Sequence, residues 1–348
     1  MGLESLEFRK YKQINMQLVL NSFGASLKKE NGLFLVQTAD LSQAIHPRDI
    51  KSIALSQGAR ISSDAVLLAI EHEIDVLFVD KTGKHQGRIW SSKYGSISEI
   101  RKKQLEFLYG NKVVDWVKDK IIEKINNQIA FMLSLQIGLD ERNNPTYKAI
   151  SYGVNAMEDY KRKIRKEEAE IIADIAPSLR GWEGAASKKY FQLLATLVPE
   201  TFRFEKRTTH PALDKFNSLL NYAYGILYGK VEGCLIRAGI DPYVGIFHRD
   251  DYNRPALVFD VIEKYRIWAD YVVYHLCAQE AFSEECFRFD TQGACYVEGL
   301  GKRILIQSMN DYLAEVVPLK GLPRSRGEHI QQDAYELANF FLESFFIK

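Results

Sequence analysis

Residues 97–125 read ISEIRKKQLEFLYGNKVVDWVKDKIIEKI, and their spacing decides the fold. Ile100, Leu105 and Leu108, then Val113, Val117, Ile121, Ile122 and Ile125, recur at helical intervals. That period buries one stripe of a helix. Everything before this stretch reads differently. Met16 to Leu20, Leu33 to Val36, Ile50 to Leu55 and Asp75 to Val79 are short apolar runs, with Gly87 to Trp90 returning after the turn Asp80-Lys81-Thr82-Gly83. Asn31-Gly32 is a hairpin signal, because both positions tolerate positive φ. Ser62-Ser63-Asp64 caps one short helix, Ala65 to Glu71. Strand-rich and helix-rich runs are thus segregated rather than alternating, which predicts an α+β chain. A small, mostly β domain occupies residues 1–95, and a larger all-α domain occupies 96–348. The boundary is placed at Lys93-Tyr94-Gly95-Ser96.

Downstream, the patterning predicts a charged helix over 155–175 and further helices over 183–197, 212–237, 257–280, 301–316 and 329–346, with Gly239 to Arg254 as a loop. The charged helix carries Lys161, Arg162, Lys163, Arg165 and Lys166, followed by Glu167, Glu168 and Glu170. A solvated face and a DNA-contacting face both account for such a run.

The 348 residues hold enough chain for two cores. With 46 Lys+Arg against 45 Asp+Glu there is no global basic field, so nucleic-acid binding would rest on local patches. Cys234, Cys277, Cys286 and Cys295 form no C-x-x-C pair and complete no zinc-finger spacing, which predicts buried reduced thiols. Met1 to Tyr11 lacks the apolar core of a signal peptide, and no apolar run reaches the length of a membrane span. A cytoplasmic protein without membrane contact is the expectation.

Three stretches concentrate residues suited to chemistry: Gly181 to Tyr190 (GWEGAASKKY), Ala238 to His248 (AGIDPYVGIFH) and Ala256 to Arg266 (ALVFDVIEKYR). Glu183 sits between two glycines and before small residues, which reads as a tight helix start open to close approach, or as an acidic first turn favoured by the helix dipole. Asp260 and Glu263 are three apart and share one helical face. Together with Glu183 and the loop residue His248 they would converge on one ion. Carboxylates plus one imidazole suit Mg²⁺ or Mn²⁺ better than zinc. Clustered carboxylates also repel one another without a metal, so removing one should cost little stability. Ion pairs of Asp260 and Glu263 with Lys264 and Arg266, or a structural histidine, are the plainer alternatives. His46, His72, His85, His210, His275 and His329 have no such context.

The three stretches, in this order and spacing, resemble the motifs of the CRISPR-associated protein 1 family, the integrases of CRISPR adaptation. Asn217 to Leu227 between them resembles that family's long connecting helix. The resemblance runs from about Met16 onward. It implies an N-terminal β domain that dimerises and an all-helical catalytic domain. It implies Glu183, His248 and Glu263 as ligands of Mg²⁺ or Mn²⁺, with Asp260 as a further acidic residue that either touches the metal or orients a ligand. It also implies insertion of short double-stranded DNA (spacer precursors) at a CRISPR repeat, a homodimer, and the small CRISPR-associated protein 2 as partner. A branched-DNA nuclease that does not integrate, and a catalytically silent DNA-binding scaffold, are the alternatives. Tyr190, Asn217 and Tyr224 match family positions near the site. Ile267 replaces the family's usual proline after Arg266, and His210-Pro211 stands for its proline pair.

Overall fold

The computed structural model describes residues 16–80, 85–89, 98–140, 144–248 and 254–343. The leader Met1 to Tyr11, Lys81 to Gly83, Trp90, the boundary tetrapeptide Lys93 to Ser96, and loop residues Asp250, Asp251 and Asn253 lie outside these. Contacts within the chain fall into two compact units, Met1–Ser91 and Ser92–Lys348.

The first unit runs β1 (Met16–Leu20), β2 (Ser26–Glu30), β3 (Leu33–Gln37), β4 (Ser42–Ile45), β5 (Ile50–Ser56), β6 (Arg60–Ile61), α1 (Ser63–Glu71), β7 (Asp75–Val79) and β8 (His85–Arg88). Its strands form two four-stranded sheets, ordered β1-β5-β7-β8 and β4-β3-β2-β6. The β2–β3 hairpin turns on Asn31 and Gly32, whose φ angles are 49° and 77°. In β3, Phe34 and Val36 alternate inward, the period-two signature of a half-buried strand. In β5 the consecutive residues Ile53, Ala54 and Leu55 are all buried, as befits an inner strand between parallel neighbours. Ser62 caps α1 by accepting a hydrogen bond from the Ala65 N–H at 3.2 Å. The buried face of α1 (Ala65, Leu68, Ala69) then reaches strands of both sheets, β2 and β7.

The second unit runs α2 (Ser98–Leu108), α3 (Val113–Gln136), α4 (Pro145–Lys166), α5 (Ile172–Leu197), α6 (Lys215–Arg237), α7 (Ala256–Ile262), α8 (Arg266–Ala278), β9 (Phe287–Phe289), β10 (Cys295–Val297), α9 (Gly299–Ala314), β11 (Val316–Leu319), β12 (Leu322–Ser325) and α10 (Arg326–Glu343). The strands form two small antiparallel hairpins appended to a helical body. At its centre is α6, buried nearly all round from Phe216 to Leu235 and capped by Asp214, whose Oδ1 accepts from the Asn217 N–H at 2.7 Å. All four cysteines are free and buried. Among the described residues no helix is long and apolar enough to cross a membrane.

Several boundaries depart from the sequence reading (the helix expected from 155 starts at Pro145), and two departures bear on the site. The charged helix ends at Lys166, where Glu167 turns extended (φ −68°, ψ 133°), and a separate helix starts at Ile172. Gly181 and Gly184 therefore lie inside α5 rather than at a helix start, downstream of Pro177. Glycine costs about 1 kcal/mol in a helix interior. Burial of Ile175, Leu179, Ala186, Tyr190, Leu193 and Leu194 along one face outweighs that cost. The span expected as one helix over 257–280 is broken at Glu263–Tyr265 into α7 and α8. The turn is pinned from two sides. Asn127 of α3 donates to the Lys264 carbonyl at 2.9 Å, and Tyr265 donates to Asp333 of α10 at 2.6 Å.

Candidate active site

Four elements of the helical unit bring the predicted residues to one pocket. Glu183 comes from α5, Asp260 from α7, Glu263 from the α7–α8 turn and His248 from the end of the described part of the loop after α6. The pocket is walled by Trp116, Val117, Lys120 and Ile121 of α3, with Phe247 beside His248.

The loop is shaped before its histidine is placed. Gln104 of α2, almost fully buried, donates to the carbonyls of Asp241 (2.8 Å) and Val244 (3.2 Å) and accepts from the Asp241 N–H (2.9 Å). Asp260, also buried, then gathers the loop's end. Its Oδ2 accepts from the N–H groups of Ile246 (2.7 Å) and Phe247 (3.1 Å). Its Oδ1 accepts from the His248 N–H (2.9 Å) and meets His248 Nδ1 at 2.6 Å. Asp260 Oδ1 already accepts from a backbone N–H beside it, so His248 Nδ1 meets it as the donor and Nε2 is the outer ring nitrogen. Both oxygens of Asp260 are occupied in holding the loop and orienting the ring.

Glu183 and Glu263 meet on a residue that the sequence reading passed over. The Lys124 ammonium, on α3, lies 2.7 Å from Glu183 Oε1 and 2.6 Å from Glu263 Oε2. Arg266 adds a contact at 3.1 Å to Glu263 Oε1. The carboxylates are therefore bridged by cations rather than left repelling each other, so the repulsion on which the expected low cost of removing one rested is not present here. Burial works against ionisation of Glu263, yet Arg266 and then Lys124 more than offset it, and its pKa ends below the usual carboxylate range. Burial likewise opposes the Lys124 charge, but Glu263 and Glu183 outweigh it and the ammonium is held above its usual value. Of the ion pairs considered as plain alternatives, Glu263–Arg266 forms, while Lys264 turns away to Asp333 at 2.6 Å.

Lys124 had a signal. With Val117, Ile121 and Gln128 it falls at positions i, i+4, i+7 and i+11, a buried stripe of α3. A lysine in such a stripe needs a partner.

Tyr190, Asn217 and Tyr224 do not line the pocket. Tyr190 and Tyr224 donate to Asp270, at 2.8 and 2.6 Å, and Asn217 accepts from Arg207 at 3.0 Å. Desolvation pushes the carboxyl of Asp270 up to about 6, despite the hydrogen bonds from Tyr224 and Tyr190. Along α4, Lys161 is buried against Asn126 and Glu158, whereas Arg162, Lys163, Arg165 and Lys166 are exposed.

A family model described as CRISPR associated protein Cas1 matches residues 18–311. The chain belongs to the Cas1 family. The CRISPR-associated endonuclease Cas1 1 of Archaeoglobus fulgidus is 30% identical over 316 residues, covering 88% of this chain and 90% of that protein. Among solved structures, a casposase bound to integration product superposes with a TM-score of 0.78 at 19% identity, over 95% of this chain and 91% of that one. A chain of a Cas6-RT-Cas1–Cas2 complex gives 0.77 at 21% identity, over 96% of this chain and 35% of that longer one. Both structures share the fold with this Cas1 chain.

Whether a divalent ion suits the site is decided by donor chemistry and by one atom. Glu183 and Glu263 already share a single cation, and buried Glu263 Oε2 contacts it without a hydrogen bond of proper geometry. Two hard carboxylates and an imidazole suit Mg²⁺ or Mn²⁺. Among the described residues no group of three His, Cys, Asp or Glu is already set to hold an ion. His248 lines the same pocket without completing the set.

Proposed function

We propose that this Cas1 protein is a metal-dependent DNA endonuclease and integrase that inserts short double-stranded DNA into a CRISPR array. The observation that carries the reading is the convergence of Glu183 and Glu263 on one cation position, beside a histidine whose Nδ1 is engaged by Asp260. Glu183, His248 and Glu263 would hold Mg²⁺ or Mn²⁺. When bound, the ion supplies Lewis-acid stabilisation of the charge that builds on a phosphodiester under attack.

The protein's own groups do the rest. Asp260 holds the His248 proton at Nδ1 and fixes the ring. Arg266 keeps Glu263 ionised. Trp116, Val117 and Ile121 form an apolar wall that limits water on one side, while Lys120 lines the pocket with its ammonium paired to Glu123 at 2.9 Å. Attack by water on the phosphorus expels one bridging oxygen as a strand-end hydroxyl and cleaves the strand. Attack by the 3′-hydroxyl of a DNA end expels the target strand's own 3′-oxygen, which leaves as a hydroxyl, and joins the end in its place. The same geometry serves both. Backbone affinity would come from exposed cations such as Arg162, Lys163, Arg165 and Lys166 of α4 rather than from net charge. A homodimer built on the β-rich unit (1–95 as read from sequence) and a complex with CRISPR-associated protein 2 complete the proposal. Support for the partner is the shared fold with a chain from a Cas1–Cas2 assembly, and for integration the shared fold with a casposase.

The silent-scaffold alternative draws on one observation, the lysine that sits between two of the three donors. Incubating the protein and its Cas2 partner with supercoiled array DNA, free 3′-hydroxyl duplexes and Mn²⁺ separates the readings. Integration abolished by EDTA is expected. Cleavage of branched DNA without joining would favour the narrower nuclease, and no metal-dependent reaction on any DNA would refute both.

A further inference from the structure

Lys124 is not part of the sequence motifs, yet it occupies the point on which they converge. Its ammonium stands 2.7 Å from Glu183 and 2.6 Å from Glu263. A divalent ion bound to both carboxylates would sit about 2.0–2.6 Å from their oxygens. The two positions overlap, and two cations in a site of low dielectric repel strongly. The lysine is 9% exposed and belongs to a stripe of α3 that is otherwise apolar or amide, so its charge is not a surface ornament. Glu263 Oε2 also reports on the fit, being buried and in contact with the ammonium but without a proper hydrogen bond. An ammonium offers three directed donors, and here Glu183 receives a well-aligned one while Glu263 Oε2 does not. Lys124 fills the position electrostatically and imperfectly, as a placeholder would.

We propose that Lys124 is the resident cation of the metal-free site, holding Glu183 and Glu263 together until a divalent ion takes its place. Metal binding is then an exchange, in which the four-carbon stem of Lys124 carries the ammonium out of the space between the carboxylates. This rests on the metal-site reading above and goes beyond it by naming the group that the ion must displace. Lys124 acts through the ligands and is a positioning residue. The exchange sets the ion concentration at which the site loads, and it prevents the collapse or mutual repulsion of the carboxylates in its absence.

The test uses the full-length protein and needs no DNA. Mn²⁺ binding is measured by electron paramagnetic resonance, and melting temperature is recorded with and without Mn²⁺, for the wild type, Lys124→Met and Glu263→Gln. Exchange predicts that Lys124→Met melts lower than wild type without metal. It also predicts that this variant binds Mn²⁺ at least tenfold more tightly and gains more in melting temperature when it does. Glu263→Gln loses the bound ion, which assigns the signal to this site. In the wild type, acetylation of Lys124 followed by mass spectrometry should speed up when Mn²⁺ is added, as the ammonium leaves its pocket. That readout decides the matter if Lys124→Met does not fold. Unchanged or weaker Mn²⁺ binding in Lys124→Met, or acetylation of Lys124 that Mn²⁺ leaves unchanged or slows, overturns the exchange while leaving the metal site standing. Absence of Mn²⁺ binding in the wild type and in Lys124→Met alike overturns the metal site, and the exchange with it.

Discussion

Replacing Glu263 by glutamine keeps the shape of the side chain and removes its charge, and without metal it should destabilise the helical unit markedly. Glu263 is 7% exposed and touches Lys124 at 2.6 Å and Arg266 at 3.1 Å. Removing one partner of a buried ion pair costs roughly 3–5 kcal/mol, because the remaining charge is left in a poor dielectric. Two features reduce that figure here. Lys124 keeps Glu183, and the Arg266 side chain is 30% exposed and retains some hydration. The loss should therefore sit near the bottom of the range, ~3 kcal/mol. Chelator-treated protein is unfolded in urea, followed by helix ellipticity, and the midpoint is compared with wild type at equal slope. Glu183→Gln should cost less, because Glu263 continues to neutralise Lys124. Adding Lys124→Met to Glu263→Gln should recover part of the loss, since the stranded ammonium is gone. A Glu263→Gln protein as stable as wild type, or more so, would refute the picture of a cation-bridged site and restore that of repelling carboxylates.

Other outcomes follow from the same geometry. Glu183→Ala and His248→Ala should each lower DNA cleavage at least a hundredfold in Mn²⁺, about 2.7 kcal/mol of transition-state stabilisation, with the fold retained by circular dichroism. Asp260→Asn turns one acceptor into a donor facing backbone N–H groups, so cleavage should fall 10–100-fold, less than for His248→Ala, with partial recovery at saturating Mn²⁺; a loss equal to that of His248→Ala, unrelieved by Mn²⁺, would make Asp260 a ligand instead. For Asp270 the folded carboxyl lies at about 6 against an ordinary 3.8. Between those values the native state binds the extra proton, so stability falls as pH rises from 4 to 6, by ~2 kcal/mol from this residue; urea midpoints of Asp270→Asn across that range should lack this component. Affinity for duplex DNA should drop steeply between low and moderate salt, and an unchanged binding isotherm would rule out phosphate contacts as its source.

The strands of the first unit were legible because their signals are local. Asn31-Gly32 adopts the positive φ pair that its composition invites, and Ser62 caps α1 with its own hydroxyl. The onset of helical spacing after Ile97 marks where the second core begins. Motif residues were legible for a different reason: they are few, chemically specific and regularly spaced. Their local settings were not. Glu183 reads as a helix start only if glycines are weighed by propensity, whereas the buried face of α5 carries the helix through them. The kink at Glu263–Tyr265 depends on Asn127 and Asp333, which lie far away in the chain, so no window around the motif contains its cause. Lys124 and Asp270 were missed because a charge on a buried stripe shows that a partner is needed without showing which. Its partners identify it, and they are 59 residues distant in the case of Lys124 and Glu183.

The way Asp260 grips the loop has a consequence for which substitutions the loop will accept. Three of its four hydrogen bonds come from backbone N–H groups, at Ile246, Phe247 and His248. A grip on the main chain is indifferent to side-chain identity, so positions 246 and 247 are free to exchange one apolar residue for another of similar bulk. Proline is the exception, since it brings no N–H and fixes φ. A saturation library at these two positions should return many functional apolar variants and no prolines, and its survivors should keep their dependence on Asp260.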